Sequence, residues 1–122
     1  MTGQKNQPFP KRLRFALGGI AHALRTEQSV KTQVVVLIGV IAAMLWLHPG
    51  ALWWALVILA SAGVFAAELI NTAIEHLADH LHPEIHPQIE VVKDCAAAAV
   101  LCAVLGSLGV AIALVVEFTH RG

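Results

Sequence analysis

The sequence predicts an all-α integral membrane protein, with one N-terminal amphipathic surface helix and three transmembrane helices in a single domain, 1–122. Composition is the first observation behind this. Hydrophobic residues make up 57% of the 122 residues and charged residues 13%, with a mean hydropathy of +0.72. Soluble domains run at roughly 45–50% apolar and about 25% charged, and a small soluble domain needs polar residues to cover its surface. The second observation is the spacing of three apolar runs, 34–47, 51–67 and 95–116. The third is a one-sided distribution of charge, described below.

The same numbers exclude other classes. The net charge is zero and the pI about 7.1, so there is no basic footprint for a phosphate backbone and nucleic acid is not an expected partner. Cys95 and Cys102 lie on one helical face inside an apolar run, which reads as packing rather than a disulfide framework. The first apolar run starts too late for a secretory signal and lacks a cleavage-type end.

Residues 9–31 read as the interfacial helix. Leu13, Leu17, Ile20 and Leu24 form one apolar stripe, and Arg12, Arg14 and Arg25 lie off it. A continuous helix carries Glu27 onto that apolar stripe, an unexpected place for a charge. The first span is 32–48, closed by His48, Pro49 and Gly50. The second helix, 51–81, has no proline and a single glycine, Gly63, before Pro83 and Pro87 end it. Thirty helical residues reach about 45 Å, against a hydrocarbon core of roughly 30 Å. The second helix must therefore project out of the membrane. The third span is 87–117, with a proline in its first turn.

Lys5, Lys11, Arg12, Arg14, Arg25 and Lys31, six of the eight basic residues, precede the first apolar run. The positive-inside rule then places the N-terminus and the 68–94 segment in the cytoplasm and the C-terminus outside.

The projecting segment carries the chemistry. Glu68, Asn71, Glu75 and Asp79 fall within an arc of roughly 80° on one helix face. On the next helix Lys93 and Asp94 reach about the depth of Glu68 and Asn71. Stacked carboxylates suit a hard cation such as Mg²⁺. A lysine can steady a phosphoryl group, and a carboxylate can take a proton from a hydroxyl. A solvated face on a protruding helix is the plainer reading of any one of these residues. His76, His80, His82 and His86 offer a different chemistry, because an i, i+4 pair can chelate a transition metal. There is no H-E-x-x-H, however, and the two prolines break the geometry, so exposed interfacial histidines are the simpler account. No P-loop, Gly-rich dinucleotide fingerprint or nucleophile elbow is present.

Together, Glu68-Leu69-Ile70-Asn71-Thr72-Ala73-Ile74-Glu75, Asp79, Lys93-Asp94 and the Ala-rich run 96–101 resemble the prokaryotic diacylglycerol kinase family, which includes undecaprenol kinases. Phe15-Ala16-Leu17, Gly19-Ile20 and Leu24-Arg25-Thr26-Glu27 resemble its surface helix. The likeness covers roughly residues 9–116. It implies a homotrimeric kinase of the bacterial inner membrane that uses Mg-ATP and a lipid alcohol. Diacylglycerol is the expected acceptor and undecaprenol the alternative. The resemblance makes Glu68 the catalytic base and Glu27 and Glu75 the Mg²⁺ ligands, which also contact nucleotide. It gives Asn71 and Asp79 supporting roles. Lys93 and Asp94 would contact the nucleotide's phosphates, and Glu84 and His86 its nucleoside part. Ser29 and Thr32-Gln33 depart from many undecaprenol-type members, which carry an Asn and an Ile-His pair there, whereas Asn71-Thr72-Ala73 and the Ala-rich run look closer to that type than to the enterobacterial diacylglycerol type.

Ala99 with Ala103, and Ala98 with Cys102 and Gly106, place small residues four apart, a spacing that lets helices approach closely in lipid. A small three-span pore protein of the holin kind would share composition and topology but leaves the polar stripe unexplained. A divalent-metal carrier would want carboxylates or histidines near the bilayer midplane, and the cores of the three runs have none.

Overall fold

A computed structural model describes residues 6–121, so Lys5, the Arg121 side chain and the two ends of the 1–122 domain lie outside the description. The described residues form four α-helices and no strand: α1 Phe9–Thr26, α2 Gln28–Leu47, α3 Ala51–Leu81 and α4 Pro87–Arg121. Three of them, α2, α3 and α4, are long and apolar enough to cross a membrane.

Each helix end has a local cause. Pro8 and Pro10 start α1, where a missing N–H costs nothing. α2 closes on His48, whose N–H donates to the Met44 carbonyl at 3.0 Å. His48 takes the left-handed conformation (φ 54°, ψ 53°), and Pro49 prevents continuation. The neighbouring Gly50 keeps an ordinary negative φ and caps α3. α3 runs 31 residues, about 46 Å at the helical rise. It stops at His82, just before Pro83. α4 runs 35 residues, about 52 Å, and its first turn is capped by the His86 ring, whose Nδ1 accepts from the Gln88 N–H at 3.1 Å.

The sequence reading carries the surface helix on to residue 31. The helix instead ends at Thr26, and Glu27 is extended (φ −105°, ψ 116°) between α1 and α2. Glu27 therefore lies on no helical stripe.

α3 and α4 form the main antiparallel pair, and α1 and α2 lean on α3. The buried core sits at the α2–α3 turn end, where Met44, Val57 and Leu114 meet. Val40, Trp53, Trp54, Val110 and Phe118 pack around them. Elsewhere large apolar side chains such as Val35, Leu59, Leu101 and Ile112 face outward, as expected of helices bathed in hydrocarbon. Cys95 and Cys102 are free and, in the single chain, exposed rather than part of its buried core. Both lie on α4, which in the single chain has only α3 as an extensive neighbour.

Met44 is fully buried at 0% exposure, so its truncation leaves a cavity. Met44→Ala should destabilise the fold by about 2–5 kcal/mol, read as a lowered thermal unfolding midpoint in detergent. Leu105→Ala, at a position 57% exposed, should leave the midpoint close to that of the unsubstituted protein.

Candidate functional site

At the end opposite the apolar core, the polar stripe of α3 faces the turn between α1 and α2. Glu68 is buried at 6% exposure, and Thr72 beside it is also buried. The Ser29 hydroxyl donates a hydrogen bond to Glu68 Oε1 across the α2–α3 contact. A buried carboxylate needs such a partner, because burying an unpaired charge costs several kcal/mol or more. Asn71, one turn along, is half-buried, and its Oδ1 is sealed from solvent without a hydrogen-bond partner. Gln33 Oε1, one turn beyond Ser29 on α2, is in the same condition. Two buried amide oxygens without donors beside a buried carboxylate mark a place with unused hydrogen-bonding capacity.

Further along α3 the groups are exposed. Glu75 faces out, as does His76, whose Nε2 lies 3.2 Å from Glu27 Oε1. The His22 ring stands edge-on to His76, with centroids 6.1 Å apart. These contacts hold the Glu27 turn against α3, so Glu27 comes beside the turn of α3 that carries Glu75. The two acids come from separate elements, with Glu75 close enough to Lys93 of α4 to interact with it electrostatically.

Lys93 Nζ donates to Asp79 Oδ1 at 2.5 Å. The sequence reading placed Lys93 level with Glu68 and Asn71. Its ammonium instead sits beside Asp79, about 16 Å further along α3 than Glu68 at about 1.5 Å per residue. A helical side chain leans toward its own N-terminus, and on α4 that direction leads to the Asp79 end. Asp94 is exposed on the following position. Glu84 and His86 lie in the connection between α3 and α4, both exposed. There the His82 Nδ1 is 3.2 Å from the Glu84 carbonyl oxygen, and the His82 and His86 rings meet edge-on at 5.0 Å. His86 thus has a structural task at the start of α4.

The structure therefore joins Glu27 to the α3 extension and Lys93 to Asp79, and leaves Glu68 with Ser29 at the other end of the stripe. Ser29 and Gln33 are the polar neighbours that the spacing argument did not assign. The signal for Ser29 was present: a small hydroxyl residue two positions after an acid that broke the apolar stripe. Next to the stripe, an apolar groove between α3 and α4 is lined by Ala67, Ile70, Ile74, Val92, Cys95 and Ala99.

Among the described residues, no three His, Cys, Asp or Glu side chains gather closely enough to hold a metal by themselves. Glu27 and Glu75 are hard oxygen donors. Two carboxylates suit an ion that completes its octahedron with water and phosphate oxygens, which is how Mg²⁺ usually arrives with a nucleotide. They do not suit a transition-metal site.

Residues 14–115 match the family of prokaryotic diacylglycerol kinases. The chain belongs to that family. It is also 33% identical over 96 residues to a diacylglycerol kinase of Synechocystis sp., a match covering 78% of this chain and 55% of that protein. It is 31% identical over 92 residues to the undecaprenol kinase of Bacillus subtilis, covering 75% of each. The chain thus spans little more than half the length of the Synechocystis relative. Membership of a family of membrane lipid kinases agrees with the three long apolar helices and makes this a multi-pass membrane protein.

Proposed function

We propose that the chain is a lipid kinase that transfers the γ-phosphoryl group of Mg-ATP to a lipid alcohol. Diacylglycerol, giving phosphatidic acid, is the favoured acceptor and undecaprenol the alternative. The observation that carries the reading is the buried Glu68 carboxylate, already accepting a hydrogen bond from a hydroxyl at the point where apolar α3 turns polar. That is the arrangement a general base needs toward an alcohol.

In this reading Glu68 takes the proton of the acceptor hydroxyl. The alkoxide-like oxygen attacks the γ-phosphorus, the bond to the bridging oxygen breaks, and ADP leaves. Lys93 and Asp94 bind the phosphates, and Asp79 holds the Lys93 ammonium in place until they arrive. Asn71 supports the base, while Glu84 and His86 flank the nucleoside. Glu27 and Glu75 would hold Mg²⁺, which when bound neutralises charge on the phosphate oxygens. The apolar groove beside the stripe suits a substrate that stays in the bilayer.

The basic N-terminal region argues for a cytoplasmic N-terminus and site, with the C-terminus outside, in the bacterial inner membrane. α1 then lies along the cytoplasmic headgroups. The separation of Lys93 from Glu68 within one chain supports a homotrimer whose sites draw on neighbouring subunits. The exposed small-residue face of α4 would serve that packing.

The direct test offers labelled ATP with diacylglycerol and undecaprenol in parallel mixed micelles. Glu68→Gln keeps the shape and removes the base, so kcat should fall by at least about 10² with the fold retained. Near-normal turnover in a folded Gln variant would remove Glu68 from the chemistry.

Glu27→Ala and Glu75→Ala should each raise the Mg²⁺ concentration needed for half-maximal rate and weaken Mg-ATP binding. Unchanged Mg²⁺ titrations in both variants would withdraw the ligand assignment.

Mixed oligomers test the shared site. Glu68→Gln and Lys93→Ala subunits, each inactive alone, should recover part of the activity when combined, because some sites would then contain both intact groups. No recovery in verified mixed oligomers would place both groups of a site on one chain.

A further inference from the structure

Ser29 behaves unlike the hydroxyls beside it. Thr26 Oγ1 donates to the His22 carbonyl at 2.8 Å, and Thr32 Oγ1 to the Gln28 carbonyl at 3.0 Å. Each bonds back one turn within its own helix, the usual local outlet for a helical hydroxyl. The residue one turn before Ser29 is Arg25, which belongs to α1, and the chain leaves helical geometry at Glu27 between them. The break removes that outlet, and the Ser29 hydroxyl is donated to Glu68 Oε1 instead.

Glu68 depends on this contact. It is 6% exposed, and among the described residues no lysine, arginine or histidine pairs with it. Ser29 is the second residue of α2, so the carboxylate lies beside the first turn of that helix, near the positive end of its dipole. A side chain held at one oxygen has its terminal rotation fixed, which otherwise is broad and weakly determined.

We propose that Ser29 is a positioning residue for phosphoryl transfer. Its hydroxyl holds Oε1 of Glu68 and sets the rotation of the carboxylate, so that Oε2 is presented to the hydroxyl of the lipid alcohol. Ser29 acts through Glu68 and exchanges no proton with the substrate. The inference rests on the kinase reading with Glu68 as base.

Steady-state kinetics in mixed micelles test it on the unsubstituted chain, Ser29→Ala, Ser29→Thr, Glu68→Gln and the Ser29→Ala/Glu68→Gln double variant. A hydrogen bond to a charged group that matters mainly in the transition state predicts a fall in kcat of about tenfold for Ser29→Ala. KM for Mg-ATP should stay within about twofold. Ser29→Thr, which keeps the hydroxyl, should return kcat to within about threefold of the unsubstituted chain. The double variant should be no slower than Glu68→Gln, since the residue it loses has nothing left to position.

Unsubstituted kcat in Ser29→Ala overturns the proposal. So does a Thr variant as slow as the Ala variant, or a double variant about tenfold slower than Glu68→Gln. Should Ser29→Ala fail to fold, Ser29→Cys takes its place: a thiol is a weak donor, so kcat below that of Ser29→Thr supports the proposal and equal values overturn it. An unsubstituted chain that phosphorylates neither lipid refutes the kinase reading and this inference with it. An active enzyme indifferent to Ser29 refutes the inference alone.

Discussion

A backbone that crosses hydrocarbon must satisfy its own hydrogen bonds, and the α-helix is how a single segment does so. The rest of this structure follows from that constraint together with a mismatch of length. At 31 and 35 residues, α3 and α4 exceed what a hydrocarbon core of roughly 30 Å requires. Helical hydrogen bonding does not stop at the membrane boundary, so the surplus continues as rigid rods. Asn71, Glu75, Asp79, Lys93 and Asp94 are carried on those rods rather than on loops. Side chains on helices that pack against each other keep their relative positions better than side chains on mobile connections.

Cohesion and chemistry are divided between the two ends of the bundle. The buried cluster of Met44, Val57 and Leu114 is at the α2–α3 turn. The buried carboxylate, the unpartnered amide oxygens and the ion pair are at the other end. Substitutions that loosen the first end need not disturb the second. Between them the helices offer lipid a largely apolar exterior, and the hydrophobic effect contributes little to holding α4 against its neighbour there.

Much of this was legible in the residues. The three apolar runs, the prolines that end them and the i, i+3, i+7, i+11 spacing from Glu68 to Asp79 are local patterns, and local patterns survive folding. The break at Glu27 was not legible. Thr26, Glu27, Gln28 and Ser29 include neither glycine nor proline, and nothing in them forbids a continuous helix. The interruption goes with contacts to α3, such as that of His76 with Glu27, and tertiary contacts override propensity. The partner of Ser29 was hidden for the same reason. Lys93 illustrates a different loss: counting residues fixes the depth of a Cα atom, while a long side chain delivers its charge several ångströms away. The exposed Cys95 and Cys102 mark a third. In water an apolar residue on a helix face implies a packing partner, but in lipid the surroundings serve as well.

The extended residue at Glu27 also acts as a phase setter. Because each helical residue turns the chain by about 100°, the angular position of everything on α2 is counted from that single non-helical step. Losing one residue there would leave every helix able to form, with composition and hydropathy almost unchanged. Yet it would swing the hydroxyl of Ser29 and the amide of Gln33 about a quarter-turn away from α3 and into lipid. Substitution within the turn is a chemical change at one site, whereas a change of its length shifts the register of a whole transmembrane segment. Length, more than residue identity, is the property of this turn that the fold can least tolerate losing.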